Sequence, residues 1–485
     1  MRKVALIVAL LASTSLGAPA QRAPAQRERV QSTAAQRTAD RPTRLVRAMA
    51  EQLLATANLP GLSIAVSRNG QIVFAEGLGY ADIERKRPIT PDTRFRTASV
   101  SKIITVTALA KLVEEGRLDL DAPIQKYVPS FPAKAWPITS RQIAGHLSGM
   151  PHYSDADRIE PRFYPSVTDA LSVFAHESLK FEPGTAYSYS THGFTLLSAA
   201  IEGAAGEPFL EYVQRSVLDP LGMRSTAPDL RARPHPAMAT IYRSQNDRLS
   251  RVEQPEDASY KWAGGGLTST PTDLLRLAHG YFDGFLMPET VSLMWTSQRL
   301  ASGKETGVGI AWRNGRDMAG HRTIEHAGSM EGVRLVVCIF PEERLVISLM
   351  TNREWPSAVE ETAHTLAFPF LTNDTARAPL AGTHAITVET NTSSGKRTRP
   401  GILTLDDGRG TLRIDPQGPD GAAYALFYLG RGDAYGLVRH DGIYWLTIRV
   451  ENGVLSGRAI AHRSPQLEDP ATNPPFLTFT SRAAP

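Results

Sequence analysis

The chain has 485 residues, of which 42% are hydrophobic and 21% are charged, and it contains one cysteine. This composition is typical of globular proteins, and the length suffices for two or three domains. A single cysteine excludes an internal disulfide framework and a cysteine-rich metal site. The net charge is +4. The first 47 residues carry +7 of it, which leaves −3 for the rest and gives no indication of nucleic-acid binding.

The N-terminal residues resemble an export signal followed by a tether. Met1-Arg-Lys precedes a short apolar run and small residues up to Ala18-Pro-Ala20. This pattern is typical of a secretory signal peptide over residues 1–20, and the run is too short for an integral membrane span. We therefore expect a periplasmic or secreted protein. Residues 21–43, rich in Gln, Ala, Pro and Arg, predict a flexible linker.

Residues 44–373 predict one α+β domain. After an amphipathic helix over 44–57, a hairpin is expected at 61–75, with a tight turn at Asn69-Gly70. Helical periodicity dominates the middle of the domain. Strands are then expected at 306–312, 323–326, 334–340 and 345–350, followed by a helix over 357–372. The first hairpin and the last strands should share one sheet, with Cys338 as a buried strand residue.

Residues 380–485 have a different pattern. Short alternating apolar segments follow each other at close intervals, separated by Asp-Gly and Asn-Gly turns. This spacing predicts a small antiparallel barrel or sandwich as a separate C-terminal domain.

The first chemical motif is Ser99-Val-Ser-Lys102, at the start of a helix expected over 95–116. Residues three apart share a helix face, so the Lys102 amine should lie about one turn from the Ser99 hydroxyl. A hydroxyl needs a base before it becomes a good nucleophile. An amine enclosed by apolar residues is biased toward its neutral form, which can act as that base. The motif therefore makes Ser99 a candidate nucleophile.

Two later segments complete a pattern. The first contains Tyr189-Ser-Thr191, and the second contains His326-Ala-Gly328 at a predicted strand. Together with Ser99-x-x-Lys102, their content and order resemble the serine β-lactamase and penicillin-binding-protein superfamily. The similarity is strongest to its class C branch, which includes esterases and D-amino-acid peptidases, and to the lactamase-like serine protease of mitochondria. Supporting segments are 146–150, 220–223 and 263–270.

This resemblance implies a fold and a set of roles. The fold would be a β-lactamase/transpeptidase-like sandwich, an antiparallel sheet plus a helical subdomain, with a lipocalin-like barrel behind it. Ser99 would form an acyl-enzyme, with Lys102 and Tyr189 as base or proton relay, their division of labour being open. The backbone N–H groups of Ser99 and Ser329 would form an oxyanion hole. His326 would bind a substrate carboxylate or support the tyrosine, beside Thr191, Ala327 and Gly328. No cofactor or metal is implied.

Two departures from the family pattern bear on the substrate. Thr191 stands where class C lactamases have Asn, and a hydroxyl cannot offer the amide's paired donor and acceptor. His326 replaces Lys, which makes the positive charge there dependent on pH. Both favour an esterase or peptidase over an efficient β-lactamase. The alternative is a non-turnover penicillin sensor or a filament-forming scaffold. The substrate would be a small molecule or peptide, and the oligomeric state stays open.

Other residues have more ordinary interpretations. His146 is expected to shape its loop, and His192 to begin a helix near the rim of the pocket. The Gly264–Gly266 run should let backbone approach the pocket, since no phosphate-loop Lys follows. The sequence contains neither the His-Glu-x-x-His motif of zinc proteases nor the Gly-x-Ser-x-Gly motif of α/β-hydrolases.

Overall fold

The computed structural model describes residues 25–155, 162–246, 248–355, 358–372, 378, 380–392, 395–418, 421–460 and 475–481. The predicted signal peptide lies outside these residues. The chain divides into one unit of residues 1–42 and a second of residues 43–485. No helix among the described residues combines the length and apolarity needed to cross a membrane.

The first helix, α1, spans Ala25–Thr56. This helix includes residues 25–43, for which the sequence predicts a flexible linker instead. Ala, Gln, Arg and Glu are abundant there, and all four favour helix. In the second unit, Val46, Met49 and Leu53 are buried at spacings of three and four residues. This pattern confirms the amphipathic helix expected over 44–57.

A seven-stranded antiparallel sheet forms the centre of the second unit, with its strands in the order 87–88, 71–82, 61–68, 345–351, 333–340, 322–330 and 313–316. The first hairpin and the last strands share this sheet, as predicted. Asn69 and Gly70 both have positive φ, as a tight hairpin turn requires. The strands are β1 Gly61–Arg68, β2 Gln71–Asp82, β3 Arg87–Pro88, β9 Arg313–Arg316, β10 Arg322–Met330, β11 Val333–Phe340 and β12 Leu345–Thr351.

One predicted strand is wrong. Residues 306–312 form no continuous strand, and Val308 makes only an isolated bridge to Arg313, where β9 begins. Gly307 and Ala311 have φ values of 71° and 64°. These left-handed conformations interrupt extended backbone despite the apolar side chains. The segment therefore loops beside the helices, and the edge strand starts later than expected.

Helices and short strands cover the face of the sheet that we call the front face. The helices are α2 Ser101–Glu114, α3 Ser140–Ala144, α4 Val167–Ala170, α5 His192–Ala205, α6 Phe209–Val213, α7 Trp262–Gly265, α8 Pro271–Gly280 and α9 Pro288–Trp295. The short strands are β4 Phe95–Arg96, β5 Ala227–Pro228, β6 Tyr242–Gln245, β7 Arg248–Arg251 and β8 Leu267–Ser269. One large apolar cluster joins these helices to the front face.

The opposite, or back, face of the sheet packs against residues 45–54 of α1, which belong to the second unit, and against α10, Val359–Leu371. Alternation along each strand divides its side chains between the two faces. On β10, Ile324 belongs to the front core and Ala327 to the back core. On β11, Cys338 is fully buried in the back core, as the sequence predicts for a strand cysteine.

The C-terminal strands form a closed antiparallel barrel, which confirms the predicted fold class. Leu403, Leu437 and Phe479 are among the side chains that fill its own apolar core. Other barrel residues, including Val438 and Ile443, join the back core of the sheet. The strands are β13 Gly382–Thr392, β14 Gly395–Asp406, β15 Arg409–Ile414, β16 Ala422–Tyr428, β17 Ala434–Arg439, β18 Gly442–Glu451, β19 Val454–Ala459 and β20 Leu477–Ser481.

Candidate active site

Ser99 lies in a tight turn immediately before α2, so this helix begins at Ser101 and not at residue 95 as predicted. The turn, Ala98–Val100, is a 3₁₀ helix, and Ala98 adopts a φ of 41°. A non-glycine residue in that region costs roughly 1–3 kcal/mol, which the surroundings must supply. The Thr97 hydroxyl lies 2.7 Å from the Ser101 hydroxyl and donates to the Leu267 carbonyl at 2.8 Å. These contacts hold the turn and leave the Ser99 side chain partly accessible.

Lys102 is fully buried beside Ser99. Its amine lies 3.4 Å from the Ser99 hydroxyl, 3.1 Å from the Thr191 hydroxyl and 2.6 Å from the Gly264 carbonyl. Burial, assisted by the positive charge of Arg313, holds the pKa of Lys102 well below its usual value. The neutral amine, the form able to accept a proton, is therefore easier to reach than in a solvent-exposed lysine.

Tyr189 lies over the same amine. Its ring centroid is 4.8 Å from the Lys102 nitrogen and 4.3 Å from the ring centroid of His146. Burial raises the pKa of Tyr189, and hydrogen bonding with Ser99 and Thr191 counteracts this rise. The Tyr189 phenol is thus within hydrogen-bonding reach of Ser99, the candidate nucleophile, and of Thr191, which also contacts the Lys102 amine.

Two histidines hold the segment that carries Tyr189. The backbone N–H of Ser190 donates to Nδ1 of His146 at 3.2 Å, and that of Thr191 donates to Nδ1 of His152 at 3.1 Å. Burial, and then the charge of Lys102, lowers the pKa of His152 to about 4. Both rings therefore stay neutral and can accept these bonds. His146 braces the loop as expected, whereas sequence analysis missed His152.

His326 faces the site from β10. Its Nδ1 lies 2.7 Å from the Ala327 carbonyl, so this nitrogen carries the proton and Nε2 presents its lone pair. Nε2 is buried and has no hydrogen-bond partner among the described residues. Burial, followed by the charges of Arg313 and Lys102, holds the pKa of His326 well below its usual range.

Gly328 brings β10 against the nucleophile turn. A Cβ placed on it would lie 2.9 Å from the Thr97 carbonyl and 3.2 Å from the Ala98 Cβ. Only glycine permits this approach. Ser329 follows on the same strand with an exposed side chain. The two segments that carry the predicted oxyanion-hole N–H groups therefore lie side by side.

The edge of β10 and the position of Ala327 refine the predicted substrate site. The pairing with β9 covers only Arg322–Glu325, so β10 continues past it from His326 onward. The Ala327 side chain lies in the back core, away from the pocket. The prediction that Ala327 contacts substrate can therefore apply only to its backbone, because alternate strand residues face opposite sides.

His192 and the Gly264–Gly266 run are the remaining residues that the sequence analysis placed near the pocket. His192 begins α5, as expected, but it is fully buried and stacks on Phe174 at 4.4 Å between centroids. At Gly264 an added Cβ would come within 2.6 Å of the Thr191 side chain. The glycine run therefore brings backbone close to the site, as predicted, and its carbonyl holds the Lys102 amine.

Arg313 is the charged residue that sequence analysis missed. It begins β9, its side chain is 18% exposed, and one guanidinium nitrogen lies 3.4 Å from the Glu360 carboxylate. Its charge contributes to the lowered pKa of both Lys102 and His326. No motif includes this residue, and the strand that presents it was predicted too early in the chain.

Chemically, the site combines a partly accessible hydroxyl, a buried amine of lowered pKa, a phenol and an imidazole lone pair. These groups come from three distant chain segments, and such a set can carry out acyl transfer to a serine.

A sequence model of the Beta-lactamase family matches residues 46–369. The mitochondrial serine beta-lactamase-like protein LACTB of Homo sapiens is 30% identical over 393 residues, covering 61% of this chain and 72% of that protein. Esterase EstB of Burkholderia gladioli is 29% identical over 330 residues, covering 59% of this chain and 83% of the esterase.

Among solved structures, the octameric penicillin-binding protein homologue from Pyrococcus abyssi has a TM-score of 0.59. The match covers 85% of this chain and 97% of that chain at 22% identity, a level at which the likeness shows the fold alone. The family match covers most of the chain and includes every motif of the site. The chain therefore belongs to the Beta-lactamase family, within the superfamily of serine beta-lactamases and penicillin-binding proteins.

Proposed function

We propose that this protein is an exported serine hydrolase that acts through a Ser99 acyl-enzyme on ester, amide or D-amino-acid peptide substrates. The observation that carries the proposal is the buried Lys102 amine, 3.4 Å from the Ser99 hydroxyl, with its pKa held well below the usual value. A buried structural lysine would need an anionic partner. Within the described part of the chain, the hydrogen bonds of this amine go to neutral oxygens of Ser99, Thr191 and Gly264.

In the proposed mechanism, the Ser99 oxygen attacks the substrate carbonyl while its proton passes to Lys102, directly or through Tyr189. The tetrahedral intermediate places its negative charge near the N–H groups of Ser99 and Ser329. Loss of one such donor typically costs about 2.7–4 kcal/mol. Collapse breaks the ester or amide bond, and the leaving group takes the proton. Water then attacks the acyl-enzyme, and the same groups return the proton to Ser99.

The substrate preference rests on the departures at Thr191 and His326. The Thr191 hydroxyl accepts from Lys102 and has no amide to offer a substrate. His326 is buried and neutral, so it supplies a lone pair in place of a fixed positive charge. These features favour esters and peptides over β-lactams, and one relative, EstB, is named an esterase.

The test is covalent labelling of the full chain with a fluorophosphonate and with a fluorescent penicillin, followed by peptide mass spectrometry. We expect a covalent adduct on the peptide that contains Ser99, and turnover of ester substrates by the unlabelled protein. The Ser99→Ala variant should form no adduct, while its circular dichroism spectrum stays the same as that of the wild type. A permanent penicillin adduct without turnover would support the alternative, a sensor. Absence of any adduct would support a scaffold.

The proposed export of the protein is tested by a separate measurement. N-terminal sequencing of protein recovered from the periplasm or medium should begin at Gln21, if the signal is cleaved after Ala20. Recovery of intact protein in the cytosol alone would contradict this part of the proposal and leave the hydrolase part standing.

A further inference from the structure

Behind the candidate active site, on the back face of the sheet, lies a group of buried ionisable residues that no motif includes. Glu325, Cys338 and His364 are between 0% and 4% exposed. Their ligand-type atoms all lie within 4.8 Å of one another. Glu325 precedes His326 on β10, and Cys338 is its cross-strand neighbour on β11. The group is therefore one residue away from the site, on the other side of the same strand.

The contacts in this group are those of an imidazole–carboxylate pair with a thiol beside it. Nε2 of His364 lies 2.7 Å from the Glu325 carboxylate. Burial alone would lower the pKa of His364, but the charge and hydrogen bond of Glu325 raise it to about 9. Burial raises the pKa of the Cys338 thiol. A metal ion would need a thiolate and an unprotonated imidazole nitrogen in place of this arrangement.

One helical turn before His364, α10 presents a second ionic contact to the sheet. The Glu360 carboxylate lies 3.4 Å from Arg313 on β9 and 3.4 Å from Arg334 on β11. Arg313 is also the cross-strand partner of Glu325. Glu360 and His364 thus connect one helix to β9, β10 and β11, the strands that carry or support the site.

The barrel holds the other side of the same helix. The N–H of Ile443 donates to the Thr362 hydroxyl at 3.0 Å, and the Ala358 N–H donates to the Asp441 carbonyl at 3.0 Å. The Trp355 indole donates to the His440 carbonyl at 2.8 Å. The turn between β17 and β18 and the start of β18 therefore contact the segment just before α10 and the first turn of this helix.

We propose that Glu360 and His364 are positioning residues, through which α10, anchored by the barrel, fixes Arg313 and the His326 strand for catalysis. This inference rests on the proposed function and gives the C-terminal barrel a part in it. Glu360 also offsets the charge of Arg313, and Arg313 acts on both Lys102 and His326. The helix thereby influences the geometry and the electrostatics of the site from outside the pocket.

Glu360→Gln is the first test, since it removes the charge and keeps the shape. The uncompensated Arg313 should lower the pKa of Lys102 further, which moves the acid limb of the kcat/KM profile to lower pH. The ionisable groups facing Lys102 and His326 are Arg313 from β9, Tyr189, and His146 and His152 from the loop before Tyr189. Displacement of the strand should lower kcat by about 10- to 100-fold.

His364→Gln is the second test, and it should lower kcat by a similar factor with little change in KM. The groups facing His364 are Glu325 from β10, Cys338 from β11, Asp317 from the turn before β10 and Glu361 from its own helix. The matched control is Asp273→Asn on α8, which removes a buried carboxylate paired with Arg276 and outside the groups that shift Lys102, His326 or His364. It should leave the pH profile in place, even if it lowers the melting temperature.

A third variant, Thr362→Val, removes the acceptor for the barrel N–H and should lower kcat in the same direction by a smaller factor. Hydrogen exchange at residues 322–330, measured by mass spectrometry, provides a readout independent of activity. It should become faster in all three variants. If the wild type fails to label at Ser99, the proposed function fails, and exchange still tests the coupling.

The inference is overturned if Glu360→Gln and His364→Gln lower only the melting temperature and leave kcat, the pH profile and strand exchange at wild-type values. It is also overturned if the purified protein holds stoichiometric zinc that Cys338→Ser loses, because the group would then be a metal site.

Discussion

Two histidines on opposite faces of one sheet are buried to a similar degree, but their pKa values are shifted in opposite directions. His326 on the front face has a pKa well below its usual value, whereas His364 against the back face has one raised to about 9. Burial acts on both. The difference lies in the neighbouring charge, since His364 contacts the Glu325 carboxylate, whereas His326 lies in the field of the Arg313 cation.

The two faces differ in whether a buried ionisable group has a partner of opposite charge. On the back face, the Glu325 carboxylate pairs with the His364 imidazole and thereby connects β10 to α10. On the front face, Lys102 and His326 are both buried, and among the described residues their hydrogen bonds go to hydroxyl and carbonyl oxygens and not to a carboxylate. Such groups destabilise the fold and favour proton transfer, which is the usual compromise of a catalytic site.

The largest expected effect comes from the front face. Lys102→Ala removes the candidate base and should slow acylation by roughly 10²–10⁴-fold. Stopped-flow measurement with a p-nitrophenyl ester provides the rate. Lys261→Ala, which removes another buried lysine with a carboxylate partner in Glu256, is the comparison, because it should mainly lower stability. An unchanged acylation rate in Lys102→Ala would exclude the amine as base or relay.

The next effect concerns the contact between β10 and the nucleophile turn. Gly328→Ala should lower kcat by about 10- to 100-fold, since the added Cβ forces the strand away from Thr97 and Ala98. Gly320→Ala is the control, a residue of positive φ with nothing within 4 Å of an added Cβ. It tests for general loss of stability. Equal activities in the two variants would contradict the proposed role of strand proximity.

The two histidines should also give stability opposite dependences on pH. His364 has its pKa raised from 6.5 to about 9, so its contribution is complete below pH 6.5 and is lost as the pH rises toward 9. The loss is on the order of 3 kcal/mol. The lowered pKa of His326 costs stability as the pH falls below 6.5.

Urea unfolding across pH 4–10 measures both slopes. His364→Gln should be less stable than the wild type and should flatten the alkaline slope, whereas His326→Gln should flatten the acid slope. The contrast between the two faces fails if neither substitution alters its slope.

The smallest expected effect is at Thr191. Thr191→Val keeps the shape but removes one acceptor of the Lys102 amine. The cationic form loses a hydrogen bond, so the acid limb of the pH profile should move to lower pH, with less than about a tenfold change in rate. Thr191→Ser keeps the hydroxyl and should keep the profile. A shift in both variants would indicate a change of packing.

Most of the fold could be predicted because it depends on local pattern. The hairpin at Asn69-Gly70 and the strand around Cys338 follow from turn chemistry and apolar alternation. Residues 306–312 could not be predicted, because Ala311 has a positive φ and its N–H donates to the carbonyl of Ala144, which is distant in sequence. Residues 25–42 show that composition typical of a linker can still form helix.

The sequence by itself determined which chemistry was available: a serine, a lysine and a tyrosine in family motifs, with Thr191 and His326 as departures. Motif order and turn patterns are local properties, so they survive without coordinates. Only the tertiary structure decided the charge environment. Arg313, His152 and the Glu325–His364 pair come from separate segments, and a pKa depends on distances through space that no spacing along the chain encodes.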